Sequence, residues 1–349
     1  MLPPTIMIVG DSISQGLEGD YTWRYRLARH FDAHGVAARF VGPWTGTATL
    51  PVRQPPGYPA RAAEPGCEGR YRPGISFPGS RHYARWGRLL AEAKDGIGAA
   101  VAAHRPEYLM VGLGFNDLAW GVSGPDRLLA DVGTFVREAR AADPRLRFLV
   151  ADVVHRTPLG HSPDLPRVTA SYNERLPDLL DRLSTASSPI MPVGLAGVYD
   201  PRHDAYDGLH PNSVGEFRIA RAFAGAFSAA FAGGRLDFAA PIPRTPDPLP
   251  IRPARGLTVR PYGRGVRISW TPVFGASGYW LHLRDTGSGE PFRRSELPVA
   301  ATSCDLSPEP GRAYEVAVSA ARGPQETAPT GPVAFTLGAP LLASGLPSS

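Results

Sequence analysis

At 349 residues, 43% of them hydrophobic and 20% charged, the chain is long enough for two globular domains, and its composition excludes a disordered or fibrous protein. The net charge of +5 comes almost wholly from arginine, with Lys94 the sole lysine, and the arginines are scattered singly, which excludes a continuous nucleic-acid-binding stripe. No apolar run approaches the length of a membrane-spanning helix, and Cys67 and Cys304 show no spacing of a disulfide framework or a metal site.

The first element is a short apolar run, Ile6-Met7-Ile8-Val9. After it come Gly10-Asp11-Ser12-Ile13-Ser14-Gln15-Gly16 and then apolar residues at helical spacing, Trp23, Leu27 and Phe31. Ser12 therefore stands where a buried strand hands over to a helix, with its hydroxyl at the carboxyl edge of a sheet. A nucleophile suits that place. So does a plain capped turn, or a phosphate-cradling serine loop, although the Asp11 carboxylate would repel phosphate.

Arg39-Phe40-Val41 reads as a second strand. Residues 42–81 are rich in Pro, Gly and Arg and keep neither period, so they are expected to form a substrate-facing flap, with disorder as the alternative. A helix is expected from about residue 82 to 104, its start marked by Gly79-Ser80. Tyr108-Leu109-Met110-Val111 is a strand-type apolar run ending in Gly112-Leu113-Gly114-Phe115-Asn116-Asp117. Residues 125–142 have helical spacing with proline in the first turn, 148–153 form the next buried strand, 168–183 a helix with Pro177 as its weak point, and 190–193 a short strand. The last helix opens at Ser213-Val214-Gly215-Glu216, read as a capping box, and presents Val214, Phe217, Ala220, Phe223 and Phe227 on one face.

Strands alternating with helices predict a parallel sheet covered on both faces. In the flavodoxin-like strand order 2-1-3-4-5, Ser12 and Asn116 would end the two strands that flank the crevice. The domain is assigned residues 1–235. A proline-rich linker, extended and semi-rigid, follows at 236–255. Period-two stretches around Trp270, Tyr279-Trp280 and Tyr314 then predict an all-β sandwich over 256–338, with a flexible tail at 339–349. That sandwich resembles a fibronectin type III domain. Trp270 matches the early core tryptophan, and Leu306 through Gly311 to Tyr314 the late-strand pattern in which the tyrosine closes a corner.

Asp207-Gly208-Leu209-His210-Pro211 completes a set of residues suited to acyl transfer, which needs a nucleophile, a base, a carboxylate to orient the base and donors for the oxyanion. Ser12, His210, Asp207 and Asn116 fill those roles. On one tight loop, a carboxylate three residues upstream can bend back to the imidazole Nδ1 and leave Nε2 for Ser12.

With these motifs in this order, the first domain resembles the SGNH (GDSL-type) hydrolases over roughly residues 4–232. The resemblance implies a three-layer α/β/α sandwich, ester or thioester hydrolysis through an acyl-enzyme, and no metal or organic cofactor. It assigns Ser12 as nucleophile, His210 as base, Asp207 as its partner, and Asn116 with the Ser12 N–H as oxyanion donors. The family's further loop glycine has no standard signature here. Gly69, Gly74 and Gly79 are available, and Gly79 is favoured because it lies just before the next expected helix.

Other readings of the same residues make different predictions. His203, Asp204, Asp207 and His210 could ligate zinc, but that leaves Ser12 and Asn116 without a purpose. An acyltransferase or thioesterase would keep the same four residues, a non-catalytic binding protein would lack one of them, and a flavodoxin-like nucleotide binder would retain flavin or phosphate. His155 is read as structural. The expected substrate is a small-molecule or carbohydrate ester, with Trp44, Tyr58, Tyr71 and the flap arginines setting specificity and the sandwich docking a polymer or a partner protein. Nucleic acid is not an expected partner. The amino terminus shows no leader, so the chain as given reads as cytoplasmic, or as secreted if it is a mature fragment.

Overall fold

The computed structural model describes residues 3–50, 68–158, 162–232 and 241–336. The described residues fall into two compact units, one ending at Leu249 and the other beginning, apart from a short stretch near residue 50, at Pro250.

In chain order the first unit contains β1 (Thr5–Gly10), α1 (Ser12–Gln15), α2 (Trp23–Ala33), β2 (Arg39–Phe40), β3 (Tyr83–Ala84), α3 (Leu90–His104), β4 (Tyr108–Gly112), α4 (Phe115–Ala119), α5 (Pro125–Ala142), β5 (Arg147–Ala151), α6 (Leu165–Leu183), β6 (Ile190–Val193) and α7 (Ser213–Phe231). The strands run parallel in the order β2-β1-β4-β5-β6. This is the expected flavodoxin-like order. Every residue of β1 is buried, as a strand covered on both faces requires. Helices α3, α5 and α6 pack in one layer and α2 with α7 in the other.

The outer edge of β1 is shared. Thr5 and Ile6 pair with β2, while Val9 and Gly10 pair with β3. The two-residue β3 is too short to show a period, and it corrects the helix expected from residue 82. That helix begins only at Leu90, where no local side chain caps it; the Asp117 carboxylate accepts the Leu90 and Ala91 N–H groups at 2.8 and 3.0 Å instead. Helix α6 starts earlier than expected and continues through Pro177.

The capping box expected at Ser213 is also corrected. Asn212 is the cap, its Oδ1 accepting from Val214 and Gly215 N–H. Buried Glu216 instead accepts the Thr22 N–H at 2.7 Å, with Arg26 3.5 Å away, and so ties α7 to the start of α2.

The described parts of the long loop are anchored by Arg24, which is 1% exposed. Its guanidinium donates to the carbonyls of Ser14, Gln15, Gly46 and Ser80 and to the Tyr71 hydroxyl, at 2.8 to 3.1 Å. Tyr58 and Cys67 lie outside the described residues. The proline-rich stretch is not a free spacer at Asp247. Tyr21 Oη and Arg72 donate to the Asp247 carboxylate at 2.9 and 3.0 Å, and the Asp247 N–H donates to Ser213 Oγ at 2.7 Å.

The second unit is antiparallel. Strands β7 (Arg255–Tyr262), β8 (Gly265–Thr271) and β11 (Ser303–Leu306) form one sheet in the order β11-β8-β7. The other consists of β9 (Gly278–Asp285), β10 (Arg293–Arg294), β12 (Ala313–Arg322), β13 (Gln325–Glu326) and β14 (Val333–Thr336). Trp270 is buried against Tyr279, ring centroids 5.2 Å apart. Tyr314 stacks on Phe335, and the tyrosine hydroxyl that receives a backbone N–H is that of Tyr279, from Val273 at 2.8 Å. Cys304 is a free thiol.

Candidate active site

Strand β1 ends at Gly10, and Asp11 opens the single turn of α1. The Asp11 carboxylate accepts the Ile13 N–H at 3.0 Å, and Ser12, 5% exposed, is the first helical residue. The loop before α7 brings His210 to it, with Nε2 2.9 Å from Ser12 Oγ. His210 Nδ1 lies 2.7 Å from Asp207 Oδ2, and Asp207 Oδ1 accepts the backbone N–H groups of Leu209 and His210 at 3.0 and 2.8 Å. Both carboxylate oxygens are thus engaged by the same three-residue turn. Gly208 is required within it, because its φ is +83° and an added Cβ would collide with Thr157 Oγ1.

The electrostatics follow from that pairing. Burial pushes the His210 pKa down, but the charge and hydrogen bond of Asp207 outweigh burial and the value is raised above 6.5. Burial likewise pushes Asp207 up, yet His210 and the two backbone donors bring it down to about 2. Asp11 is the opposite case. Burial lifts it to about 7 against the Ile13 N–H and His210, which pull it down.

Asn116 sits on α4, directly after β4, and is 5% exposed. Its Nδ2 donates to the Arg88 carbonyl at 3.1 Å, which leaves the second amide hydrogen for another acceptor. Pairing of β3 with the end of β1 carries residues 85–88 to this site: Arg85 N–H donates to Gly10 O, Trp86 N–H donates to Gln15 Oε1 at 2.6 Å, and Arg88 O meets Asn116. The Trp86 ring stacks on the His210 imidazole, centroids 4.4 Å apart and planes 23° apart, and Tyr206 stacks on His210 at 5.9 Å and 21°.

Gly79 does not stand just before the next helix, as expected, because β3 and residues 85–89 separate it from α3. It precedes β3, lies on an exposed turn at φ +71°, and has open space where a side chain would be. The residues that touch His210 and Asn116, Trp86 and Arg88, come after β3. Trp86 and Tyr206 were not singled out in the sequence, where no motif or period marks them, and Gln15 was given no role within its stretch. Trp44 and Tyr71, expected at the substrate, pack within the loop, Trp44 on Tyr83 and Tyr71 on Phe77.

The four residues considered for zinc point to different partners. His203 pairs with Asp200, Asp204 with Arg218, and Asp207 with His210. Among the described residues no three His, Cys, Asp or Glu side chains form a metal-holding group. No helix among them is long and apolar enough to cross a membrane.

One solved structure shares the fold of the first unit, and others are similar to parts of the chain. An acetyl esterase mutant with acetate ion is 21% identical, with a TM-score of 0.50, covering 66% of this chain and 98% of its own. A carbohydrate esterase family 3 protein from Talaromyces cellulolyticus is 22% identical, with a TM-score of 0.49, covering 63% and 94%. The fn3 domain of human collagen alpha-1(XX) chain is 28% identical, with a TM-score of 0.23, covering 29% and 92%. The sequence profile of one family matches residues 8–216, a span that holds Ser12, Asn116, Asp207 and His210, and the chain belongs to that family, the GDSL-like lipases/acylhydrolases.

Proposed function

We propose that this GDSL-family hydrolase is a serine esterase in which Ser12 is the nucleophile, His210 the general base and Asp207 the group that orients and charges the base. The observation that carries this reading is the continuous chain Ser12 Oγ, His210 Nε2, His210 Nδ1, Asp207 Oδ2, with links of 2.9 and 2.7 Å. The Asp207 carboxylate fixes the proton on Nδ1, so the free pair on Nε2 faces the serine hydroxyl.

Ser12 Oγ attacks the acyl carbonyl carbon while its proton passes to His210 Nε2. The carbonyl electrons move to the oxygen, where the spare Asn116 Nδ2 hydrogen and the Ser12 N–H receive the negative charge. Collapse breaks the bond to the alcohol oxygen, which takes the proton from Nε2. Water then loses a proton to the same nitrogen and attacks the acyl-enzyme. Breakdown of the second tetrahedral species frees the acid and returns the proton to Ser12 Oγ.

Intact-mass measurement after reaction with a fluorophosphonate tests the assignment. Labelling of the parent, with none in Ser12→Ala and slow labelling in His210→Ala, is the expected result. A folded parent that takes no label, or a Ser12→Ala variant that labels like the parent, overturns it.

A further inference from the structure

A cavity of about 310 Å³ adjoins the triad, lined among others by Phe115, His155, Arg156, Thr157, Asp200 and Arg202. Two links place it beside the chemistry. Phe115 is the neighbour of Asn116 on α4, and the Thr157 N–H donates at 2.9 Å to the carbonyl of Gly208, the residue after Asp207. Much of the remaining wall is apolar, with Pro158, Leu165, Pro166 and Pro201, as expected of a small-molecule site that carries a few convergent polar groups.

The charge in this wall is unbalanced. Arg156 and Arg202 both line it, and neither guanidinium has an ion-pair partner among the described residues. The one acid of the wall, Asp200, is occupied by His203 Nδ1 at 2.8 Å and by the Arg202 N–H at 3.0 Å. Arg156 is only partly exposed, and among the described residues it makes one hydrogen bond, from Nε to the Thr157 carbonyl at 3.2 Å. Burial lowers the pKa of its guanidinium, with Asp207 the only charge that opposes the shift. A half-buried guanidinium with no carboxylate in ion-pair contact keeps unused donors, and an anion arriving between it and its neighbours engages them with charge-assisted, directional hydrogen bonds.

We propose that this cavity is a subsite for an anionic group, a carboxylate or a phosphate, on the ester substrate, with Arg156 as the principal contact, Arg202 at the rim and His155 as a further donor. The inference rests on the esterase reading for the word substrate, but the anion site itself does not depend on turnover. An enzyme with this subsite selects esters that carry a second, charged group over neutral esters of the same size.

The experiment has two arms. In the first, kcat/KM is measured for matched pairs, 4-nitrophenyl hemisuccinate against 4-nitrophenyl butyrate and 4-acetoxybenzoate against phenyl acetate, in the parent, Arg156→Gln, Arg156→Lys and Arg202→Gln. The anionic-to-neutral ratio for at least one pair is expected to fall about 10-fold or more in Arg156→Gln, the size of one lost charge-assisted contact, and to be partly retained in Arg156→Lys. The ratio cancels any general loss of activity. An unchanged ratio in Arg156→Gln for both pairs overturns the proposal.

In the second arm, the thermal midpoint of Ser12→Ala is followed with succinate and with inorganic phosphate, with and without Arg156→Gln. A rise that needs Arg156 supports the site, and the ion that gives the larger rise separates carboxylate from phosphate. No rise with either ion overturns it. A protein that hydrolyses none of the esters yet shows the Arg156-dependent rise retains the anion site and loses the esterase reading.

Discussion

Trp86 lies flat on the imidazole of His210, 4.4 Å between centroids, with Tyr206 stacked on the same ring at 5.9 Å. The ring that becomes a cation in the proposed mechanism therefore has two aromatic rings stacked on it. Cation–π attraction at a partly exposed site is about 0.5–1 kcal/mol, which favours the imidazolium by about 0.4–0.7 pH unit. As the proposed base, His210 would act only when neutral, so kcat/KM should rise with pH through a value above 6.5. Trp86→Leu is expected to move that acid limb to lower pH by a few tenths of a unit, with Trp86→Phe between it and the parent. A profile that falls in height without shifting would leave Trp86 as a packing residue only.

Asn116 is predicted to matter mainly to turnover. Asn116→Ala should lower kcat by about 100- to 1000-fold with a much smaller change in KM, because the amide acts on charge that develops only in the transition state. Loss of its bond to the Arg88 carbonyl adds to the effect by loosening residues 85–88. Steady-state kinetics on a simple acetate ester decides this, and near-normal kcat would remove Asn116 from the oxyanion site.

The motif residues were legible because each stands at the end of an element whose apolar pattern is strong. Ser12 follows the all-buried β1, Asn116 follows β4, and Asp207 and His210 precede the capped α7. Spacing also announced the Asp207–His210 pair, since a three-residue turn can close only locally. Trp86 and Arg24 were not legible. Their partners are distant in the chain, His210 for one and the carbonyls of Gly46 and Ser80 for the other, and they contact loops that keep no period. The helix start expected just after Gly79 was misplaced for the same reason, since β3 exists only by pairing with Val9 and Gly10. Glu216 looked like a capping-box residue because local spacing cannot reveal that Thr22, 194 residues away, takes its carboxylate.

Asp11 should make the protein less stable in alkaline conditions. Its folded pKa of about 7 stands above the ordinary value of 3.8, so between those values the folded state holds the extra proton and stability falls as pH rises. The cost is absent below about pH 4, grows from there to about pH 7, and is complete above it. Asp11→Asn keeps an oxygen for the Ile13 N–H and removes the buried charge. It should raise stability by on the order of a few kcal/mol at about pH 8.5 and by little at about pH 4. Urea unfolding at the two pH values reads the difference, and an equal gain at both would refute the assignment to Asp11.

Arg24 is predicted to be the costliest structural substitution in the first unit outside the triad. Its five hydrogen bonds join α1, through the Ser14 and Gln15 carbonyls, to both described arms of the long loop, through Gly46, Ser80 and Tyr71. Arg24→Met keeps much of the aliphatic volume but takes the Arg24 donor from the buried Ser14, Gln15 and Ser80 carbonyls, while the Gly46 carbonyl keeps the Tyr71 hydroxyl and the His82 ring. At about 1–3 kcal/mol for each buried group left unsatisfied, partly relieved by entering water, a loss of about 3–5 kcal/mol is expected. The same change should disturb catalysis, because Ser14 and Gln15 share α1 with Ser12 and Gln15 Oε1 holds the Trp86 N–H. Arg24→Met should therefore show a lowered urea midpoint together with a reduced rate of fluorophosphonate labelling. Arg29→Met, which removes only an exposed pair with Asp32, should change stability by less than about 1 kcal/mol. If the two variants unfold at the same urea concentration, Arg24 does not hold the loop to α1.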